Sequence, residues 1–182
     1  MRKILFLLAF ACSLMGFAWE RQSVWPKGKM PDAQAHQIAA MTNETGAKDF
    51  KPEKFRTAYL EWFEKPANPN GCCMILISGG GYFSCCDVGL IKQWHERFTA
   101  LGYQCVNFVY RTPRPEGLPI YQTAWEDGQR AVRLVRSQAK KRGFDPEHIG
   151  TISMSAGSHL AVLLATSSQI SGAFILMTAF IP

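Results

Sequence analysis

The sequence predicts an α/β fold with a doubly wound, mostly parallel sheet, and three observations carry that expectation. Short apolar runs alternate with segments of helical period from residue 72 onward. The first of them, Cys72 to Ile77, is continuously apolar, as strands covered by helices on both faces require. The last 35 residues, His148 to Pro182, contain no Asp, Glu, Lys or Arg, which is the composition of an interior. At 182 residues the chain suits one domain with a real core. Its 47% hydrophobic content against 19% charged excludes wholesale disorder.

Met1-Arg2-Lys3, then the apolar runs Ile4 to Ala11 and Leu14 to Ala18, have the charged and hydrophobic regions of a secretory signal peptide over residues 1–18. Gly16 and Ala18 supply small residues for cleavage. The stretch falls short of a membrane span, and Glu20 and Arg21 follow at once. A lipoprotein site at Cys12 fits less well, because Ala9 stands where a larger aliphatic residue is expected. An exported protein, periplasmic or secreted, with no stable membrane span after leader removal, is therefore expected. Residues 19–54 read as an N-terminal arm and 55–182 as the core domain.

Trp19 to Lys54 is polar and turn-rich and reads as an irregular arm or an approach to the domain. Thr57 to Phe63 alternates as a strand and meets the turn Lys65 to Gly71. Cys72 to Ile77 is a buried strand that runs into Ser78-Gly79-Gly80-Gly81-Tyr82. Ile91, Trp94, Phe98 and Leu101 recur at helical spacing, with Gly102 at the C-terminal cap. Tyr103 to Tyr110 is the next strand. Tyr121, Ala124, Trp125, Gly128, Val132, Val135 and Ala139 form one face of a long helix, where Gly128 is expected to allow close packing on the sheet. His148 to Ser153 is a strand, Ala156 to Thr166 an apolar helix and Gly172 to Phe180 a strand. The chain stops two residues after Phe180, leaving an uncovered apolar edge, so the C-terminal strands of a complete fold are expected to be missing.

The formal net charge is +6; without Arg2 and Lys3, 18 basic residues face 14 acidic ones, a net +4. This excess is dispersed, whereas a nucleic-acid partner calls for a clustered basic stripe, so none is expected. Arg130, Arg133, Lys140 and Lys141 read as a solvated helix face. After the leader, Cys72, Cys73, Cys85, Cys86 and Cys105 form an odd set without metal-ligand spacing, so no metal site is expected. Cys72, Cys73 and Cys105 sit in apolar runs as small core residues, while the pairing of Cys85 and Cys86 is left open.

Ser153-Met154-Ser155-Ala156-Gly157 falls between a predicted strand and a predicted helix, where a nucleophile elbow belongs. Such a turn needs small neighbours so that the strained serine can project above the sheet. The same string also arises as an ordinary helix N-cap. Ser78-Gly79-Gly80-Gly81, at another strand end, tips the balance. The backbone N–H groups of Gly80 and Gly81, with that of Ala156, can bind the oxyanion of an acyl-transfer intermediate. A dinucleotide cradle would want a third glycine where Ser84 stands, and no Lys-Ser/Thr pair follows for a P-loop.

Met74 to Thr166 resembles the esterase/lipase branch of the α/β-hydrolase fold, close to its acetyl-xylan-esterase-like and hormone-sensitive-lipase-like members. The resemblance rests on Ile77-Ser78-Gly79-Gly80-Gly81-Tyr82, Val109-Tyr110-Arg111, Asp127-Gly128-Gln129-Arg130-Ala131-Val132-Arg133 and Ser153-Met154-Ser155-Ala156-Gly157-Ser158-His159-Leu160-Ala161. It covers roughly half of the chain and implies Ser155 as nucleophile and Gly80, Gly81 and Ala156 as oxyanion donors. Ser78 stands where many relatives have His or Pro, and Ser153 where they have Gly.

In that family the triad acid and histidine follow the nucleophile. Here no acid follows Ser155, and the only later histidine is His159, for which packing or a local hydrogen bond is favoured. His148, at the far end of the strand leading into the turn, lies roughly 20 Å away at strand rise. His95 and Asp127 belong to covering helices, His36 to the arm, and Asp87 to the glycine loop without an imidazole to orient. Arg111 is expected to pack against the Gly80 loop. The resemblance implies an exported serine carboxylesterase acting on small acyl esters or acylated carbohydrate, with acetylated plant polysaccharide as one case, and no metal or organic cofactor. The alternative is a non-catalytic fragment or degenerate relative serving as a binding protein.

Overall fold

The computed structural model describes residues 20–32, 57–85, 88–166 and 174–178. The leader expected over residues 1–18, His36, Cys86 and Asp87 lie outside the described residues. Six strands, β1 Glu20–Ser23, β2 Tyr59–Trp62, β3 Cys73–Ile77, β4 Gln104–Val109, β5 Ile149–Ser153 and β6 Phe174–Thr178, form one sheet. Their order is β1-β2-β4-β3-β5-β6. The last four are mutually parallel, while β1 and β2 run antiparallel at one edge. The helices are α1 Val88–Ala100, α2 Gln122–Ser137, the single turn α3 Ala139–Arg142, and α4 Ala156–Thr166.

Every residue of β3 and β4 is buried, which explains the unbroken apolar character of β3; β4 also buries Gln104 and Asn107, whose side chains hydrogen-bond to the Phe63 carbonyl and to Glu61. Cys73, Ile75 and Ile77 of β3 join Val106 and Phe108 of β4 beneath α2 and α4, through Ala124, Ala131, Val132, Val135, Leu160 and Leu164. The alternate residues Met74, Leu76 and Cys105 face α1 through Ile91, Trp94 and Phe98. The sheet is thus covered on both faces. Because α1 carries the chain from β3 to β4 on one side, and the next crossover skips to β5 on the other, the strand order reverses between β3 and β5. Ligand crevices in open α/β sheets form at the carboxyl ends of strands that part in this way.

Several expectations need correction. The start of the arm is not irregular: Glu20–Ser23 adds an edge strand whose polar side chains are paired. Glu20 accepts from Arg142 at 2.7 Å, Arg21 donates to Glu61 at 3.0 Å, and Gln22 accepts from the Trp62 indole at 3.1 Å. Leu101 does not extend the buried stripe of α1; the helix ends at Ala100, and Leu101 sits exposed in the turn closed by Gly102 (φ 88°). Gly128 packs against a helix rather than the sheet, since a Cβ there would meet both Leu164 methyls at 2.9 Å.

Arg111 also departs from expectation. It is fully buried and turns toward α2, not toward the glycine loop. Its Nε donates to both Asp127 oxygens at 2.8 and 2.9 Å, its backbone N–H to Asp127 Oδ2 at 2.9 Å, and its Nη2 to Glu126 and the Thr123 carbonyl at 3.0 Å. Trp25 Nε1 donates to the same carboxylate at 2.6 Å, and Arg111 Nη1 to the Pro31 carbonyl. Burial pushes the Asp127 carboxyl above the ordinary carboxylate range, opposed by the Arg111 guanidinium. The face assigned to solvent is exposed at Arg133, Lys140 and Lys141, but Arg130 is half-buried, donating to the Val24 carbonyl at 2.6 Å beside the Trp25 ring.

Cys73 and Cys105 are buried and Cys72 half-buried. Burial pushes the Cys105 thiol up to about 11 and raises Cys73 as well. Iodoacetamide at pH 8 is expected to label Cys72 in the folded protein, and Cys73 and Cys105 only in denaturant, as read by peptide mass mapping; equal labelling of the three would contradict this packing. Removing the Asp127 carboxylate strands a buried guanidinium, so Asp127→Ala is expected to cost about 3–5 kcal/mol in urea unfolding. A loss under about 1 kcal/mol would mean that Arg111 is solvated.

Candidate active site

The site lies where β3 and β5 end side by side. Ile77 pairs in register with Ser153, and one step further the Met154 N–H donates to the Ile77 carbonyl at 3.3 Å. The two following turns, Ser78 to Ser84 and Met154 to Gly157, must therefore touch.

Ser155 has φ 53°, a left-handed conformation that a side chain other than Gly, Asn or Asp seldom adopts. It is exposed, directly after the half-buried Met154 and directly before α4. The backbone reverses within this turn: Gly157 N–H donates to Met154 O at 2.9 Å, and Ser158 and His159 N–H to Ser155 O at 2.9 and 3.2 Å. A strained serine lifted from the end of a buried strand at the start of a helix is the geometry that the small-residue string calls for. Ser153, in place of the family's glycine, is fully buried with its Oγ 3.5 Å from Ser158 Oγ.

The glycine loop presses on this turn. A Cβ on Gly79 would lie 2.9 Å from Ser155 Cβ and 3.0 Å from the Met154 carbonyl oxygen. A Cβ on Gly157 would lie 2.5 Å from Ser78 O and 2.6 Å from Ile77 O. Gly80 (φ 131°) and Gly81 (φ 60°) then curl away, and the Gly80 carbonyl accepts from the N–H groups of Phe83 and Ser84 at 2.9 and 3.1 Å. Among the described residues, the N–H groups of Gly80, Gly81 and Ala156 make no hydrogen bond. Ala156 opens α4, where the first N–H groups have no intrahelical acceptor. Of these groups, the Ala156 N–H directly follows the exposed, strained Ser155 in the chain.

Tyr110 fixes the loop from below, its hydroxyl donating to Ser78 O at 3.2 Å. Tyr82, buried and itself at φ 66°, lies with its hydroxyl 3.0 Å from His159 Nδ1 in a hydrogen bond. His148 sits exposed at the opposite end of β5 beside Asp145 at 3.7 Å. His95 stacks on Phe63 at 3.9 Å, and burial lowers its pKa. Asp127 is committed to Arg111. The structure thus brings Ser155, Ala156 and the glycine loop together and keeps His148, His95 and Asp127 elsewhere. Sequence reasoning missed Gly79 and Tyr82. The signal for Gly79 was its place as the first glycine after the strand, the point nearest the neighbouring strand end.

Sheet order, crossover pattern and the strained serine define an α/β hydrolase fold. Residues 62–175 match the BD-FAE family, and the chain belongs to that family. It is 33% identical over 99 residues to endo-1,4-beta-xylanase B of Butyrivibrio fibrisolvens and 30% identical over 112 residues to acetylxylan esterase of Xylanibacter ruminicola. These alignments cover 51% and 57% of this chain but 14% and 21% of the two relatives, so the chain spans a minor part of their length. Among solved structures it is similar to an acetyl ester-xyloside bifunctional hydrolase from Caldicellulosiruptor lactoaceticus (TM-score 0.52, 27% identity, 70% of this chain and 45% of that one). It is likewise similar to a thermophilic esterase from Thermogutta terrifontis (TM-score 0.54, 25% identity, 69% and 50%).

A glycine inside a helix usually gains stability, by about 1 kcal/mol, when replaced with alanine. Gly157→Ala should do the reverse, because the new methyl meets two backbone carbonyls that cannot move aside. A loss of about 1–3 kcal/mol in urea unfolding is expected, and a stabilised variant would mean that the two turns are not in contact.

Proposed function

We propose that this protein is an exported serine carboxylesterase that hydrolyses small acyl esters, with acetyl groups on plant polysaccharide as its substrate class. Ser155 is the nucleophile, and the N–H groups of Gly80, Gly81 and Ala156 hold the oxyanion. The observation that carries this reading is the left-handed backbone of Ser155 at the strand-to-helix turn, pressed against the glycine loop at Gly79. The similarity to an acetylxylan esterase and to an acetyl ester-xyloside hydrolase supports the substrate class. The amino-terminal leader supports export.

Ser155 Oγ attacks the ester carbonyl carbon, and the carbonyl electrons move onto oxygen, where the three amides stabilise the charge. Each such donor contributes about 3–4 kcal/mol to lowering the barrier. Collapse of the tetrahedral intermediate expels the alcohol and leaves an acyl-serine, which water hydrolyses to the acid and free Ser155. The proton leaves Ser155 for a general base and returns to the departing alcohol. His159, whose Nδ1 shares a hydrogen bond with the Tyr82 hydroxyl, is assigned no part as that base. The base and its acid are assigned to none of the described residues.

The test uses the full-length gene product with p-nitrophenyl acetate and acetylated xylo-oligosaccharides. Turnover on both is expected, and Ser155→Ala should remove it by on the order of 10⁶-fold. Turnover that survives Ser155→Ala, or its absence in the unmodified protein, would overturn the reading in favour of a non-catalytic binding protein.

A further inference from the structure

Two side chains beside the site have no part in the chemistry above, yet they join its halves. Tyr82 directly follows Gly81, and His159 lies one helical turn beyond Ser155. His159 N–H donates to Ser155 O at 3.2 Å, and its ring Nδ1 meets the Tyr82 hydroxyl at 3.0 Å. Two hydrogen bonds, joined through His159, thus link the serine's own peptide to the residue that follows the glycine triplet. The imidazole is held on two sides, edge-on to Tyr82 (ring centroids 6.1 Å apart) and to Tyr121 (5.7 Å). Tyr82 in turn packs on Tyr110, and its carbonyl accepts from the Arg114 N–H at 2.9 Å. Its left-handed backbone has to be held by such surroundings, since a tyrosine has no intrinsic preference for φ 66°.

We propose that the Tyr82–His159 pair is a positioning strut that fixes the distance between the glycine-loop amides and Ser155. The inference rests on the assignment of Ser155 as nucleophile. Burial raises the Tyr82 phenol above its usual range, so it remains a hydroxyl that can hold the Tyr82–Nδ1 hydrogen bond. The glycines supply amides but cannot fix their own position, having no side chains to anchor; the following tyrosine provides that anchor.

Tyr82→Phe removes the hydroxyl and keeps the ring packing. It is expected to lower kcat on p-nitrophenyl acetate about tenfold, since misplacing a catalytic group by 1 Å costs roughly 10²-fold. KM and Tm should stay close to those of the unmodified protein. His159→Ala should lose a similar factor, and His159→Asn, which can present a carboxamide oxygen near the Nδ1 position, should recover most of it. The double variant Tyr82→Phe/His159→Ala should be no worse than the poorer single one, because both break the same link. Unchanged kcat in both singles, failure of His159→Asn to rescue, or losses that multiply in the double variant would overturn the strut. Amide hydrogen exchange gives a measure independent of turnover. Tyr82→Phe should speed exchange over residues 78–85 and leave β3 to β5 unaffected, and unaltered exchange in that loop also overturns the proposal. Full turnover in Ser155→Ala would instead refute the nucleophile assignment, leaving the exchange result to decide the strut alone.

Discussion

The close approach of two strand ends is the constraint on which the rest of this structure depends. Parallel pairing of β3 with β5 places Ile77 opposite Ser153, and neither following turn has room for side chains where they meet. Gly79 and Gly157 are therefore demanded by contact with neighbouring backbone and by Ser155 itself. The strain at Ser155 is tolerable because the surroundings over-determine it: the helix behind it starts within hydrogen-bonding reach of its carbonyl, and the loop beside it blocks relaxation. A serine in the same string on an isolated strand end would relax into an ordinary N-cap.

The buried Arg111 cluster does for the wider scaffold what the glycines do locally. It joins Arg111, two residues beyond β4, to α2, Trp25 and Pro31 in one buried polar knot. Desolvating a guanidinium and a carboxylate costs several kcal/mol each, and only dense hydrogen bonding offsets it. Here the carboxylate of Asp127 accepts from two side chains and one backbone amide. Such a knot defines one arrangement more sharply than apolar packing would, because displacement leaves a charge unpaired in the core. It ties the N-terminal segment to α2, and α2 packs through Gly128 against α4, the helix that starts at the Ser155 turn.

Much of the fold was legible in the sequence because burial on both sides leaves a simple signature. β3, β4 and β5 lie within the strand-like runs read from the sequence, β3 in a continuously apolar one, and α4 begins at Ala156 as expected. Polar elements were illegible for an equally physical cause. β1 has no apolar face and is held by Glu20, Arg21 and Gln22 pairing with groups 40 or more residues away in sequence. Arg111 gave no sign of its partner, since its string and that of Asp127 are separated by a loop and a helix turn. Of the candidate site, Ser155, Gly80, Gly81 and Ala156 could be named from spacing. Gly79 and the Tyr82–His159 contact could not, because they follow from the register of β3 on β5, which periodicity does not encode.

That register also explains which departures from the family pattern this chain can carry. Position 153 is the last residue of β5, and its side chain points into the interior, where the small Ser153 hydroxyl finds Ser158. The hydroxymethyl is buried there with the left-handed turn at Ser155 in place, so serine is accommodated at this position. Position 157 offers no such tolerance, since the carbonyls of Ile77 and Ser78 already occupy the volume of a Cβ. Ser78, in place of the family's His or Pro, presents its carbonyl to the Tyr110 hydroxyl and to the face of Gly157, and both roles belong to the backbone, whatever the side chain. The two substitutions thus fall where the geometry asks least of side-chain identity, while the glycines remain where it asks most.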